Sequence, residues 1–194
     1  MNSTSSALSI AVYGHESAYP ESVAKAFGAH TSLVAETESD CAIFVVNPST
    51  GIDQVTIDIW RAIDELQTPR IVVVTQLENQ EADFDDAVML ANRVFDHMAT
   101  PLLVLHDDAG LPCALISLET MRIVDYSTNP PQDIACEPEH ELLVQEFRDE
   151  YLELSTSLGS SAFAAGMLFP AIPLRIEKGI GVDIVNNYLS ELHS

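Results

Sequence analysis

One stretch, Asp40 to Glu78, limits what this chain can fold into: DCAIFVVNPSTGIDQVTIDIWRAIDELQTPRIVVVTQLE. Its apolar runs Ala42–Val46 and Ile71–Val74 are too short for helices and rich in β-branched residues. Between them Val55, Ile59, Ala62, Ile63 and Leu66 recur at helical spacing. Strands that are apolar throughout, rather than at every second residue, have both faces covered, as in a parallel sheet between helical layers. Strand, helix, strand in this order is a βαβ unit with a right-handed crossover. Ligands of such sheets bind beyond the carboxyl ends of the strands. Chemistry is therefore expected at Asn47–Gly51 and Thr75–Glu78.

The flanking sequence extends the same α/β pattern. Leu8–Tyr13 reads as a first strand, Glu16–Pro20 as a loop, and Glu21–Phe27 as a short helix opened by Pro20 and stopped at Gly28. Thr31–Ala35 reads as an edge strand. Asp83–His97 is a helix on the pattern Phe84, Val88, Ala91, Phe95, Met98. Asp83, Asp85 and Asp86 at its start suit the positive end of a helix dipole better than a metal. From Pro101 the texture changes: LLVLH and LPCALIS flank a tight turn at Asp107–Gly110, and Met121–Tyr126 continues an antiparallel meander. Ser127–Pro138 reads as a loop. Glu139–Leu158 is a long helix with Leu143, Phe147, Tyr151 and Leu154 on one face, followed by a break over Ser155–Ser161. Met167–Ile172 is a last strand, and Ile184, Val185, Tyr188, Leu189 and Leu192 mark a closing helix. Residues 1–100 and 166–194 thus form one α/β core, and 101–165 an α+β insertion before its last strand.

At 194 residues the chain suits this single core, and 47% hydrophobic with 20% charged residues marks it as globular. No apolar run reaches the roughly 20 residues of a membrane helix. MNSTSSAL has no signal-peptide pattern and reads as a tail. Thirty acidic against eight basic residues give a net charge of −22 and a pI near 4.2. That field disfavours nucleic acid and anionic lipid. It reads as a solubility device or as a surface recruiting a basic protein. Cys41, Cys113 and Cys136 form no CxxC, so zinc and a disulfide framework are not expected and a reducing cytoplasm fits. Cys41 is expected to pack within its strand and Trp60 at least partly in the core. The histidines include His15 at a strand end, His106 beside a turn and His140 in an acidic helix start, none at metal-ligand spacing. No GxSxG elbow is present.

The stretch through Asp40–Phe84, the hairpin LLVLHDDAGLPCALISLETMRIVDY and the closing GMLFPAIPLRIEKGIGVDIVNNYL resemble the GTP-binding domain of bacterial elongation factor G, with its inserted subdomain. The resemblance implies a P-loop-NTPase-like, mostly parallel sheet flanked by helices. Its motifs depart from the family at each position. The phosphate loop GHxxxGKT falls on Gly14-His15-Glu16-Ser17-Ala18-Tyr19-Pro20-Glu21. Such a loop works through backbone N–H groups, a lysine on the outer phosphates and a hydroxyl on Mg²⁺. Here Tyr19 replaces the second glycine, Pro20 replaces the lysine and lacks an N–H, and Glu21 replaces the threonine. A carboxylate about 5 Å from a phosphate charge costs on the order of 3 kcal/mol at an effective dielectric near 20, so Glu16 and Glu21 reverse the sign of the loop's field. Tyr19 and Pro20 are expected to collapse into the phosphate site.

The guanine-reading NKxD falls on Thr75-Gln76-Leu77-Glu78, and the later SA pair on Arg175-Ile176. The segment Ser22–Asp40 is too short for the switch threonine and DxxG that a γ-phosphate-driven cycle needs. The resemblance therefore implies a pseudo-GTPase with no catalytic residue, metal or cofactor, acting through a protein partner or self-association. In the family the insertion touches acidic stalk proteins of the ribosome, a role this chain's own acidity disfavours. The alternative is a rebuilt pocket binding GTP or GDP with Mg²⁺, in which Glu78 reads a base stacked on Tyr19.

Overall fold

The structure, a computed structural model, describes residues 7–79 and 81–193. Most of the tail expected at the N-terminus, residues 1–6, lies outside them. Six strands form the main sheet: β1 (Ile10–Tyr13), β2 (His30–Thr31), β3 (Cys41–Val46), β4 (Arg70–Val74), β5 (Met98–Ala99) and β10 (Phe169–Pro173), in the order β2-β1-β3-β4-β10-β5. Every pairing is parallel. This is the α/β class read from the two apolar runs.

The alternation of faces explains why those runs are continuous. Cys41, Ile43 and Val45 point to the layer holding α1 (Pro20–Ala26) and α5 (Val182–Glu191). Ala42, Phe44 and Val46 point to the layer of α2 (Gln54–Asp64) and α3 (Phe84–Val94). On that second face Trp60 is 1% exposed, stacks on Phe95 at 4.3 Å and meets Phe44 and Phe169 edge-on. Its indole N–H donates to Asp96 at 2.8 Å, so the polar end of the ring is satisfied. Cys41 is fully buried, and burial pushes its thiol up to about 12, which removes it from thiolate chemistry.

The helix over Phe84–Val94 begins on a reciprocal cap. The Asp83 carboxylate accepts from the Asp86 N–H, and the Asp86 carboxylate accepts from the Asp83 N–H, both at 3.0 Å. The acids are thus used at the helix start. Asp83→Ala is expected to destabilise the fold by about 1 kcal/mol, read from the midpoint of urea unfolding; an unchanged midpoint would show the cap to be idle.

Residues 102–135 form a second, antiparallel sheet of four strands, β6 (Leu102–His106), β7 (Pro112–Ser117), β8 (Arg122–Asp125) and β9 (Gln132–Ala135), in sequential order. Asp107 closes the first hairpin by accepting from the N–H groups of Ala109 and Leu111. The fourth strand corrects the reading of Ser127–Pro138 as a loop. Its residues are exposed and carry no apolar alternation, and β8 pairs with it from Arg122↔Ala135 to Asp125↔Gln132, reinforced by an Arg122–Asp133 ion pair. The long helix α4 (Pro138–Leu158) crosses this sheet. Val144 is the residue it buries there, and Arg148 donates to the Leu118 carbonyl. The expected apolar face is therefore corrected in its first half: Leu143 and Phe147 are 75% and 52% exposed, whereas Tyr151 and Leu154 pack against the core. The helix runs through Ser155 and stops at Gly159.

Candidate functional site

Because β1, β3, β4 and β10 are parallel neighbours, their carboxyl ends and the segments that follow lie side by side. A cleft of about 700 Å³ opens there, between α1 and the segments following β4 and β10. It gathers Tyr19, Thr75, Gln76, Glu78, Arg175 and Ile176 from the sites read in the sequence. Gly14, His15, Glu16, Ser17, Pro20 and Glu21 stand outside its wall, although Ala18 belongs to it.

The phosphate-loop segment closes on itself. Residues Glu16–Ala18 make one 3₁₀ turn capped by His15, whose Nδ1 accepts from the Ser17 N–H at 3.2 Å. The Ala18 N–H donates to the His15 carbonyl at 2.9 Å, and the Tyr19 N–H to the Glu16 carbonyl at 3.0 Å. Ser17, Ala18 and Tyr19 thus spend their N–H groups inside the turn, and Pro20 has none. Side chains hold the turn from outside. The Asn47 amide donates to the Ser17 carbonyl, the Ser17 and Thr50 hydroxyls meet at 2.8 Å, and the buried Thr75 hydroxyl donates to the Ala18 carbonyl at 2.8 Å. Asn47, Thr50 and Thr75, from the two segments where chemistry was expected, act here as struts. Gly14 is required by close approach: a Cβ on it would lie 2.6 Å from the Val45 carbonyl.

Tyr19 corrects one expectation. It takes the left-handed conformation (φ 57°) at the start of α1 and is 57% exposed, on the rim of the cleft rather than collapsed into the loop. The electrostatics are also more balanced than the motif substitutions suggest. Glu16 and Glu21 are exposed and away from the cleft, whose charges are Lys25 and Arg175 against Glu78 and Glu177. Arg175 donates to Glu177 at 2.8 Å. Burial by itself raises the Glu177 carboxyl, but that hydrogen bond, its own backbone N–H and the Arg175 and Lys178 charges together hold it below the usual range. Lys25 has no ion-pair partner among the described residues. Sequence reasoning missed Ser22, Lys25 and Glu177; the i, i+3 spacing of Ser22 and Lys25 on one face of α1 was the available signal.

Among the described residues no group of three His, Cys, Asp or Glu side chains is placed to hold a metal ion. No helix among them is long and apolar enough to cross a membrane.

No family model matches the chain. It is 27% identical over 168 residues to elongation factor G-like proteins of two Mycobacterium tuberculosis strains, covering 74% of this chain and 23% of each relative. An elongation factor G-like protein of Thermotoga maritima is 25% identical over 174 residues, covering 79% of this chain and 25% of the relative. The chain thus spans about a quarter of the length of these relatives. A crystal structure of a Thermus thermophilus protein superposes with a TM-score of 0.66 at 22% identity, over 80% of this chain and 27% of that one. The chain is similar to elongation factor G-like proteins in sequence, and the likeness to the Thermus structure is one of fold.

Proposed function

We propose that this chain is an elongation-factor-G-like pseudo-GTPase domain that has lost guanine-nucleotide binding and hydrolysis and serves as a protein-interaction or regulatory module. The observation that carries the reading is the self-satisfied loop at Ser17–Tyr19, whose N–H donors point into their own turn. Opening it to receive a phosphate would forfeit two backbone–backbone bonds, the Ser17 N–H bond to the His15 ring and the struts from Asn47, Thr50 and Thr75. No lysine waits at Pro20 to compensate. Residues 27–40 hold only the two-residue β2 between α1 and β3, a connection too short to carry a segment that follows a γ-phosphate.

An interaction role finds support on α4, where Leu142, Leu143 and Phe147 are exposed at 81%, 75% and 52% beside its acidic first turn. Such a face suits a partner with apolar and basic side chains. Titration of a fluorescent GTP analogue with Mg²⁺ tests the nucleotide claim. No saturable binding is expected up to about 1 mM, a ceiling of roughly −4 kcal/mol. Micromolar saturable binding would end the pseudo-GTPase reading.

A second reading rests on the cleft. Its volume, the exposed Tyr19 ring on its rim and Glu78 on its wall suit a rebuilt site in which a base stacks on Tyr19 and is read by Glu78. It requires that some nucleotide raise the melting temperature, by linkage between binding and unfolding. A nucleotide panel without any shift removes this reading.

A further inference from the structure

A second cavity, of about 820 Å³, lies away from the strand ends, between α5, the C-terminal half of α4 and the sheet of β6, β7 and β8. Its titratable lining consists of the exposed carboxylates Glu119, Asp183 and Glu191 and the half-buried phenols Tyr126, Tyr151 and Tyr188, among serine and threonine hydroxyls. No lysine, arginine or histidine lines it. We propose that this cavity binds a linear aliphatic polyamine, an organic cation with ammonium groups at both ends of a methylene chain.

Three observations on the wall converge on that chemistry. The first is uncompensated negative charge. Glu119 and Glu191 act on one another and on both Tyr151 and Tyr188, and burial followed by the Glu119 charge raises the Glu191 carboxyl. A cation between them relieves this repulsion. The second is the placement of aromatic faces. Tyr188 is fixed by an edge-on contact with Phe163 at 4.9 Å and lies beside Tyr151. At the other end Tyr126 lines the cavity within reach of the Asp183 charge. Carboxylate beside tyrosine is a pairing that attracts ammonium groups by charge and by ring quadrupole.

The third is spacing. Asp183 and Glu191 lie eight residues apart on α5, and at 1.5 Å of rise per residue their Cα atoms are about 12 Å apart. Ile184, Leu115 and Leu152 cover the wall with apolar surface that suits methylenes. One acidic, aromatic end and another, joined by an apolar stretch, match an extended triamine such as spermidine. A single compact cation would satisfy one end alone.

The chain's −22 charge gathers any cation loosely, so the test separates a site from a counterion cloud. Spermidine is titrated calorimetrically into the whole chain in 150 mM salt with 1 mM MgCl₂. One-to-one binding is expected, weakened at least tenfold in Glu119→Gln/Glu191→Gln and at least threefold in Asp183→Asn. The variant Glu139→Gln/Glu141→Gln, altered by the same charge in the first turn of α4, is expected to bind as the parent does. Equal weakening in both double variants, or full competition by Mg²⁺, would overturn the proposal. Ring resonances of Tyr126, Tyr151 and Tyr188 give a readout on the unaltered chain: they are expected to shift with spermidine while those of Tyr13 stay. Shifts spread evenly over all tyrosines would count against the site even if a variant failed to fold.

Discussion

Arg70→Ala is expected to cost about 4 kcal/mol of folding stability, near the upper end for large-to-small core substitutions. Arg70 opens β4 and is completely buried, the one charged residue among the described core side chains. Its guanidinium lies between two aromatic faces, 4.4 Å from the Trp60 ring centroid and 4.3 Å from that of Phe169. It donates to the Trp60 carbonyl and to the Asp64 carboxylate, which is itself half exposed. Alanine removes both cation–π contacts and the hydrogen bonds to Trp60 and Asp64, and leaves a gap between rings held by Phe44 and Phe95. Asp64, already in contact with water, loses little. Arg70→Met fills the same slot with a flexible thioether that packs well on rings, and buried ion pairs are often replaceable by hydrophobic groups. Its cost is expected at less than half that of alanine, about 1.5 kcal/mol. Urea unfolding of the two variants decides the matter. Equal losses would mean that the charge, not the packing, is what Arg70 contributes.

Arg70 also illustrates what the sequence left unreadable. It precedes Ile71–Val74 in the position of a strand flank, where an arginine ordinarily meets solvent. Only the rings contributed by Trp60 and Phe169, ten residues before it and ninety-nine after, show that it is enclosed. The parallel core itself was legible because β3 and β4 carry their own signature, apolar at every position, and short enough to exclude helix. Pro20 at a helix start and Asp83 at another were legible for the same local reason. β9 was not, since QDIA is exposed and held by backbone pairing to β8, which leaves no hydrophobic pattern to read. Periodicity misled over α4: Leu143 and Phe147 recur at helical spacing but stay exposed, and the neighbouring Val144 is buried against the second sheet instead. In the candidate site, motif alignment placed Thr75, Glu78 and Arg175 in one cleft. It gave no sign that the Ser17–Tyr19 N–H groups turn inward, because a 3₁₀ turn depends on struts from Asn47 and Thr75, which are remote in sequence.

Gly181→Ala is expected to cost about 3 kcal/mol, while Gly179→Ala, two residues earlier, costs about 1 kcal/mol; left-handed backbone alone penalises a side chain by 1–2 kcal/mol. Both glycines take that conformation, with φ of 79° and 73°. They differ in surroundings. A Cβ on Gly179 meets nothing within 4 Å, whereas one on Gly181 would lie 2.0 Å from the Pro173 carbonyl oxygen. That oxygen belongs to the end of β10, where Pro173 pairs with Val74 of β4 and the Leu174 N–H donates to the Val74 carbonyl, so it has little freedom to retreat. Relief must come from α5, whose N-terminal residue Val182 follows directly. Moving α5 displaces Asp183 and Ile184 on the cavity wall, so the same variant is expected to weaken spermidine binding while Gly179→Ala leaves it intact. Paired unfolding curves for the two variants measure the steric part by difference, since the backbone cost is common to both. Losses that match within about 0.5 kcal/mol, the usual scatter of such differences, would show that the end of β10 yields to the added methyl.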